Sequence, residues 1–320
     1  MTLDERPASS TPRLIERLGA GLNADGMPVL LAANPTKVPL PPTGHATTLR
    51  AEPDPVQPSA PTLARSSGLS HGLLEETGMV ALRRRSHVSE EFRIARHHVL
   101  EMLKRPPSDD DRSRHQNIVL VTSARQGEGK SFAALNLAGL LAEGSNRDVV
   151  LIDADIGHAS LTARFNLANA PGLLEFGQPI GQPPGQPSSQ SSVPSPRQLA
   201  RTIPVGTDIE RLIFIPVGGS ANIDARSRLA AERSICQLIA QVVNSFDDAI
   251  IVVDAPACLT TSDPTELSVI AGQVVLVVEA GQTRHADIEQ SLDLLDSCPQ
   301  LSLLLNRAPK RRRGDFFAKG

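Results

Sequence analysis

The sequence predicts an α/β fold: a doubly wound, mostly parallel sheet with helices on both faces. Three observations carry this. Short aliphatic runs recur along the chain, amphipathic segments alternate with most of them, and a glycine-rich turn joins the first run to the helix after it. Runs that are apolar at every position fit strands buried on both faces, as a parallel sheet requires.

Residues 1–84 read differently. Nine prolines fall between Pro28 and Pro61, and the stretch contains no aromatic residue. Such a segment buries too little apolar surface to offset its chain entropy, so it is read as a largely disordered, proline-rich extension. Within it, "PRLIERLGAG" (12–21) places Leu14, Ile15 and Leu18 on one face of a short helix. A docking peptide and a transient helix are both open.

The domain is expected over 85–309. "SEEFRIARHHVLEMLK" spaces Phe92, Ala95, Val99 and Met102 for an amphipathic helix. The expected strands follow as "NIVLVTS", "DVVLIDAD", "RLIFIPVG", "AIIVVDAP", "QVVLVVEAG" and "LSLLLNRA". The expected helices are "SFAALNLAGLLAE", a stripe of Ile235, Ile239, Val242 and Phe246, and a stripe of Ile288, Leu292 and Leu295. The Gln/Pro/Ser-rich stretch 178–196 is expected as a mobile surface insertion, and 310–320 as a basic tail.

Composition narrows the function classes. A formal charge of −3 supplies no global basic field, so no nucleic-acid partner is expected. No apolar run reaches membrane-spanning length, and the first residues show no signal-peptide core. Cys236, Cys258 and Cys298 form no C-x-x-C pair and read as reduced thiols.

The chemistry concentrates at "ARQGEGKS" (124–131), between an aliphatic strand and an apolar helix. That context supports a phosphate-binding loop of the G-x-x-x-x-G-K-[ST] type, with Ala124 where glycine is usual. Gly127 and Gly129 let successive N–H groups turn inward, Lys130 reaches phosphates, and the Ser131 hydroxyl suits Mg²⁺. Asp153, Asp155 and Asp254 end two further strands and land on the same rim. Asn306, ending the last strand, suits either a nucleotide base edge or a plain turn.

These motifs resemble those of the bacterial tyrosine autokinases, the capsular and exopolysaccharide ATPases that share the P-loop fold of MinD and ParA. The likeness spans about 83–309 and includes "SARQGEGKSFAALNLA", "VVLIDAD", "PGL", "IIVVDAP", "VVLVVEAGQT" and "LLLNRAP". It implies ATP and Mg²⁺ as cofactors. The nucleotide-binding residues would be Ala124, Arg125, Gln126, Gly127, Glu128, Gly129, Lys130, Ser131, Phe132 and Asn306. Ser131, Asp155 and Asp254 would serve the metal, and Lys130, Asp153 and Asp155 the chemistry, with Asp153 orienting or deprotonating the attacking group. Glu90, Arg93 and Arg96 match E-x-x-R-x-x-R, which in that family helps join subunits into a ring. The resemblance therefore implies a homo-oligomer. It also implies a cytoplasmic chain held at the inner face of the membrane by the cytosolic segment of a chain-length or polysaccharide export protein. "LRRRSHVSEEFR" with "LIERLG" is similar to the subfamily of exosortase (PEP-CTERM) loci.

The sequence also departs from that family. It contains no tyrosine, and its tail reads "KRRRGDFFAKG", with Phe316 and Phe317 where acceptor tyrosines are expected. Gly157 follows "DADI", where the family often carries arginine. Arg125 stands where MinD and ParA relatives carry a lysine that reaches the partner subunit's nucleotide. The expected function is a Mg-ATP-binding ATPase or kinase-like protein of exopolysaccharide biosynthesis or export, unable to modify a tyrosine of its own. The alternatives are a nucleotide-gated regulatory module and a MinD/ParA-type positioning ATPase.

Overall fold

The computed structural model describes residues 31–32, 68–82, 86–104, 115–156, 160–174, 204–218, 235–246 and 248–308. The 12–21 peptide, Gly157, the 178–196 insertion and the 310–320 tail lie outside them.

Among the described residues, eight strands form one sheet in the order β1-β8-β7-β2-β6-β3-β5-β4. They are β1 (Leu31–Ala32), β2 (His115–Ser123), β3 (Val149–Asp153), β4 (Val205–Gly206), β5 (Leu212–Ile215), β6 (Ile250–Asp254), β7 (Ala271–Glu279) and β8 (Leu301–Asn306). The six inner strands are parallel to their neighbours, and the expected aliphatic runs supply all six. The short outer strands β1 and β4 pair antiparallel. The sequence does not announce them: Val205–Gly206 is two residues long, and Leu31–Ala32 falls within a short run, Val29–Ala33, of the proline-rich extension.

Side chains alternate across the sheet, as a two-residue period dictates. Ile118, Leu120, Val150, Ile152, Ile251 and Val253 join one core, beside α5 (Ile235–Val243), α6 (Asp263–Ile270) and α7 (His285–Leu294). Val119, Val121, Val149, Leu151, Ile250 and Val252 join the other. That face packs α1 (His71–Thr77), α2 (His87–Leu103), α3 (Lys130–Gly144) and α4 (Leu161–Arg164). A reciprocal cap starts α2: the Ser86 hydroxyl accepts from Ser89 N at 3.0 Å, and Ser89 Oγ accepts from Ser86 N at 3.1 Å.

One boundary is corrected. The packed chain already includes residues 68–82, which the composition assigned to the disordered extension. Leu69, Leu74, Met79 and Ala81 are buried there. Leu69 N donates to Gly206 O at 2.8 Å, tying this strap to the sheet edge. Asn136, buried on α3, locks its other end. Its Oδ1 accepts from Val80 N and Ala81 N at 2.8 Å each, and its Nδ2 donates to Gly78 O at 2.9 Å. No helix among the described residues is long and apolar enough to cross a membrane.

Candidate nucleotide site

Strand β2 lies between β7 and β6, so its carboxyl end opens at the middle of the sheet. The adjacent ends are in register: Asp254 lies beside Val121 and also pairs with Asp153. Parallel pairing therefore gathers the turn and the acids on one rim.

The turn follows β2 directly. Ala124 is fully buried and is not among the residues with left-handed backbone, so glycine is not required there. Gly127 (φ 92°) and Gly129 (φ 97°) are left-handed, where a Cβ is strained. At Gly129 a Cβ would also stand 2.0 Å from Asn306 Nδ2. Helix α3 begins at Lys130 with no side-chain cap, which leaves first-turn N–H groups directed at the turn.

Lys130 and Ser131 are buried. Lys130 Nζ forms an ion pair with Asp155 and lies 3.3 Å from Ser131 Oγ. Burial pulls the Lys130 ammonium down, yet the charges of Asp254, Asp155 and Asp153 together raise it. The lysine is therefore a fixed cation.

The three acids differ. Asp153 Oδ2 accepts from Thr162 N and Thr162 Oγ1, both at 2.7 Å, and its Oδ1 accepts from Asp155 N at 3.1 Å. Both its oxygens thus accept hydrogen bonds within the fold. Thr162 Oγ1 in turn accepts from Val217 N at 2.9 Å, extending this brace to the segment that leaves β5. Asp254 is the opposite case: both its oxygens are buried without a hydrogen-bond partner. Burial pushes its carboxyl up, while the Lys130 charge and the nearby Ser131 hydroxyl, which is engaged by Lys130 Nζ, temper the rise.

The outer wall of the turn is built from distant residues. Arg125 forks onto Asp287 through Nε (2.7 Å to Oδ2) and Nη2 (2.9 Å to Oδ1). The Arg125 hydrogen bonds hold the Asp287 carboxyl below its usual range. Glu128 is buried; its Oε2 accepts from Arg125 N at 2.9 Å and its Oε1 accepts from the Thr283 hydroxyl. Asn306 Nδ2 donates to Glu128 O at 2.8 Å. Gln126 and Gly127 form the exposed crest.

Other candidates are placed as follows. Asn306 holds the turn through its amide, the plain-turn alternative of the two that the sequence left open. Phe132 faces away: its ring meets Phe92 edge-on, with centroids 5.7 Å apart, so only its backbone serves the turn. Glu90 pairs with Arg93 on their own helix. Arg96 turns toward α3, where a Cβ on Gly144 would lie 2.4 Å from Arg96 Nη1. These are the contacts the three residues make within one chain. Sequence reading missed Thr162, Asp287 and Asn136. Thr283 stood in the "GQT" of a quoted motif but carried no assigned role.

The chain that leaves β2 enters a glycine turn held open at the carboxyl edge of a doubly wound sheet, which defines the class: a P-loop fold. No family model matches the chain. It is 29% identical over 243 residues to the succinoglycan biosynthesis transport protein ExoP of Rhizobium meliloti, covering 72% of this chain and 26% of that protein. It is 29% identical over 184 residues to the tyrosine-protein kinase ptk of Acinetobacter johnsonii, covering 57% and 22%. The tyrosine-protein kinase YwqD of Bacillus subtilis is 25% identical over 185 residues, covering 58% and 69%. The chain thus spans about a quarter of the length of the first two relatives. The crystal structure of the chimerical protein CapA2B2 shares the fold, with TM-score 0.52 and 22% identity over 73% of this chain and 91% of that one. The chain is similar in sequence to proteins named tyrosine-protein kinases and has the P-loop fold.

Proposed function

We propose that the chain binds Mg-ATP at the 124–131 turn and is an ATPase or kinase-like protein of exopolysaccharide biosynthesis or export. One observation carries this reading. The two orphaned oxygens of Asp254 lie buried at the strand end beside the one that feeds the glycine turn. A buried carboxylate left so is costly unless a cation completes it. Among the described residues no three His, Cys, Asp or Glu side chains gather as a protein-only metal cage. That suits Mg²⁺ held by one or two protein oxygens together with phosphates.

In this reading Ser131 and Asp254 hold Mg²⁺ and Asp155 supports it. Bound there, the metal supplies Lewis-acid polarisation of phosphoryl oxygens. The chain's own groups do the rest. The N–H groups of the turn and of the first turn of α3 bind phosphate oxygens. Lys130 transfers its charge from Asp155 to the phosphates. Asp153 keeps Thr162 and the 153–155 backbone in place. The relatives' names support a place in polysaccharide export. A membrane export protein as partner and a homo-oligomer as the working form are proposed from the motif resemblance, Glu90, Arg93 and Arg96 included.

The test is a γ-labelled ATP assay on the chain alone and with the cytosolic segment of a candidate partner. Labelled partner indicates a kinase, and free phosphate alone an ATPase. Absence of calorimetric binding of Mg-ATP and Mg-ADP overturns the reading. A second reading, a nucleotide-gated regulatory module, is favoured by the lack of any tyrosine in the 320 residues. It predicts binding without transfer to protein.

A further inference from the structure

We propose that Arg125 and Asp287 form a clamp within one chain that presets the glycine turn for phosphate, making both positioning residues of the site proposed above, on which this inference rests.

The turn needs such support. A Cβ built on Gly127 would meet nothing within 4 Å, so the crest is unpacked. Gln126 and Gly127 are exposed, and both glycines are left-handed. A glycine backbone has the most freedom to lose on ordering. Unless its outer side is fixed, the turn must lose that freedom when a ligand arrives, and affinity falls.

The outer side is fixed from a single segment. The Arg125 side chain is 57% exposed, whereas that of Asp287 is 11% exposed. A mobile arginine is thereby forked onto an anchored acid, a geometry that sets direction as well as distance. One residue position, Arg125, is held at two points: its guanidinium by Asp287 and its N–H by Glu128, whose other oxygen takes Thr283. Thr283 and Asp287 both follow β7, the strand hydrogen-bonded to β2. Arg284 is the other cation acting on Asp287, and Glu128 is the other acid acting on Arg125. Exposed ion pairs seldom stabilise a fold, so the effect belongs to ligand affinity rather than to melting. An arginine so engaged is also withheld from a second copy of the chain.

The experiment is a calorimetric Mg-ADP titration of the full chain and of R125A, D287A, the double variant and R125K. Each alanine variant is expected to bind roughly tenfold more weakly, and the double variant no worse than either, because one clamp is lost once. R125K, which keeps the charge but not the fork, falls between wild type and R125A. Single variants that bind like wild type overturn the clamp, as do losses that multiply to roughly a hundredfold in the double variant. Normal R125A affinity with turnover lost only in the assembled form also overturns it, in favour of a role across subunits. Should D287A fail to fold, D287N takes its place in the cycle. A wild-type chain that binds no Mg-ADP sinks the site itself, a result distinct from failure of the clamp.

Discussion

Lys130 is paired with Asp155 beneath the glycine turn, with both side chains nearly excluded from solvent. The residue best suited to meet phosphate is therefore held by an acid of its own chain. On the proposed function, nucleotide must displace Asp155 from that ammonium, and a cation beside Asp155 would ease the exchange.

Lys130→Ala should strip the buried acids of their counter-ion. Removing one partner of a buried pair is expected to lower apo stability by about 3 kcal/mol. Affinity for Mg-ADP should fall by about 100-fold. Denaturant titration and calorimetry on the same preparation check both.

Asp254 sets a pH dependence. Its folded pKa is raised above the unfolded value because it is buried. Between the two values the folded chain holds the extra proton, so apo stability falls as pH rises through that window. Asp254→Asn should flatten the decline and raise the apo melting temperature at pH 8 by several degrees, on the order of 5 °C. Thermal melts between pH 5 and 8 test this, and the same variant should lose Mg-dependent nucleotide affinity.

Gly129→Ala combines a left-handed backbone with a collision against Asn306. It should abolish Mg-ADP binding. Asn306→Ala on the same background should recover stability but not binding, because only the collision is relieved. Melting and titration of the pair separate the two effects.

Asn136→Ala removes the acceptor for two strap N–H groups and the donor to Gly78 O. The expected loss is about 3 kcal/mol in denaturant unfolding. Hydrogen exchange should rise first at Val80 and Ala81.

The sheet was legible because its inner strands are buried on both faces and must be aliphatic throughout. The glycine turn and strand-end acids were legible for the same reason, since they interrupt such runs at fixed places. What stayed hidden depends on pairing between distant residues. Arg125 and Asp287 lie 162 residues apart and meet only because β7 lies against β2. The strap was missed because its apolar residues fall in short groups, Leu69, Leu73–Leu74 and Met79–Leu82, separated by polar residues and glycine and too short to set a period. The unequal states of Asp153 and Asp254 follow from Thr162, which no motif marks, and from the Asp155 N–H, which together engage both Asp153 oxygens.

The edge-on contact of Phe92 with Phe132 has an optical consequence. The chain contains neither tryptophan nor tyrosine, so its native ultraviolet emission is nearly dark. An indole placed at position 92 would be the sole chromophore of its kind. It would rest against a ring just past the loop lysine, where its brightness could follow ligand arrival in real time.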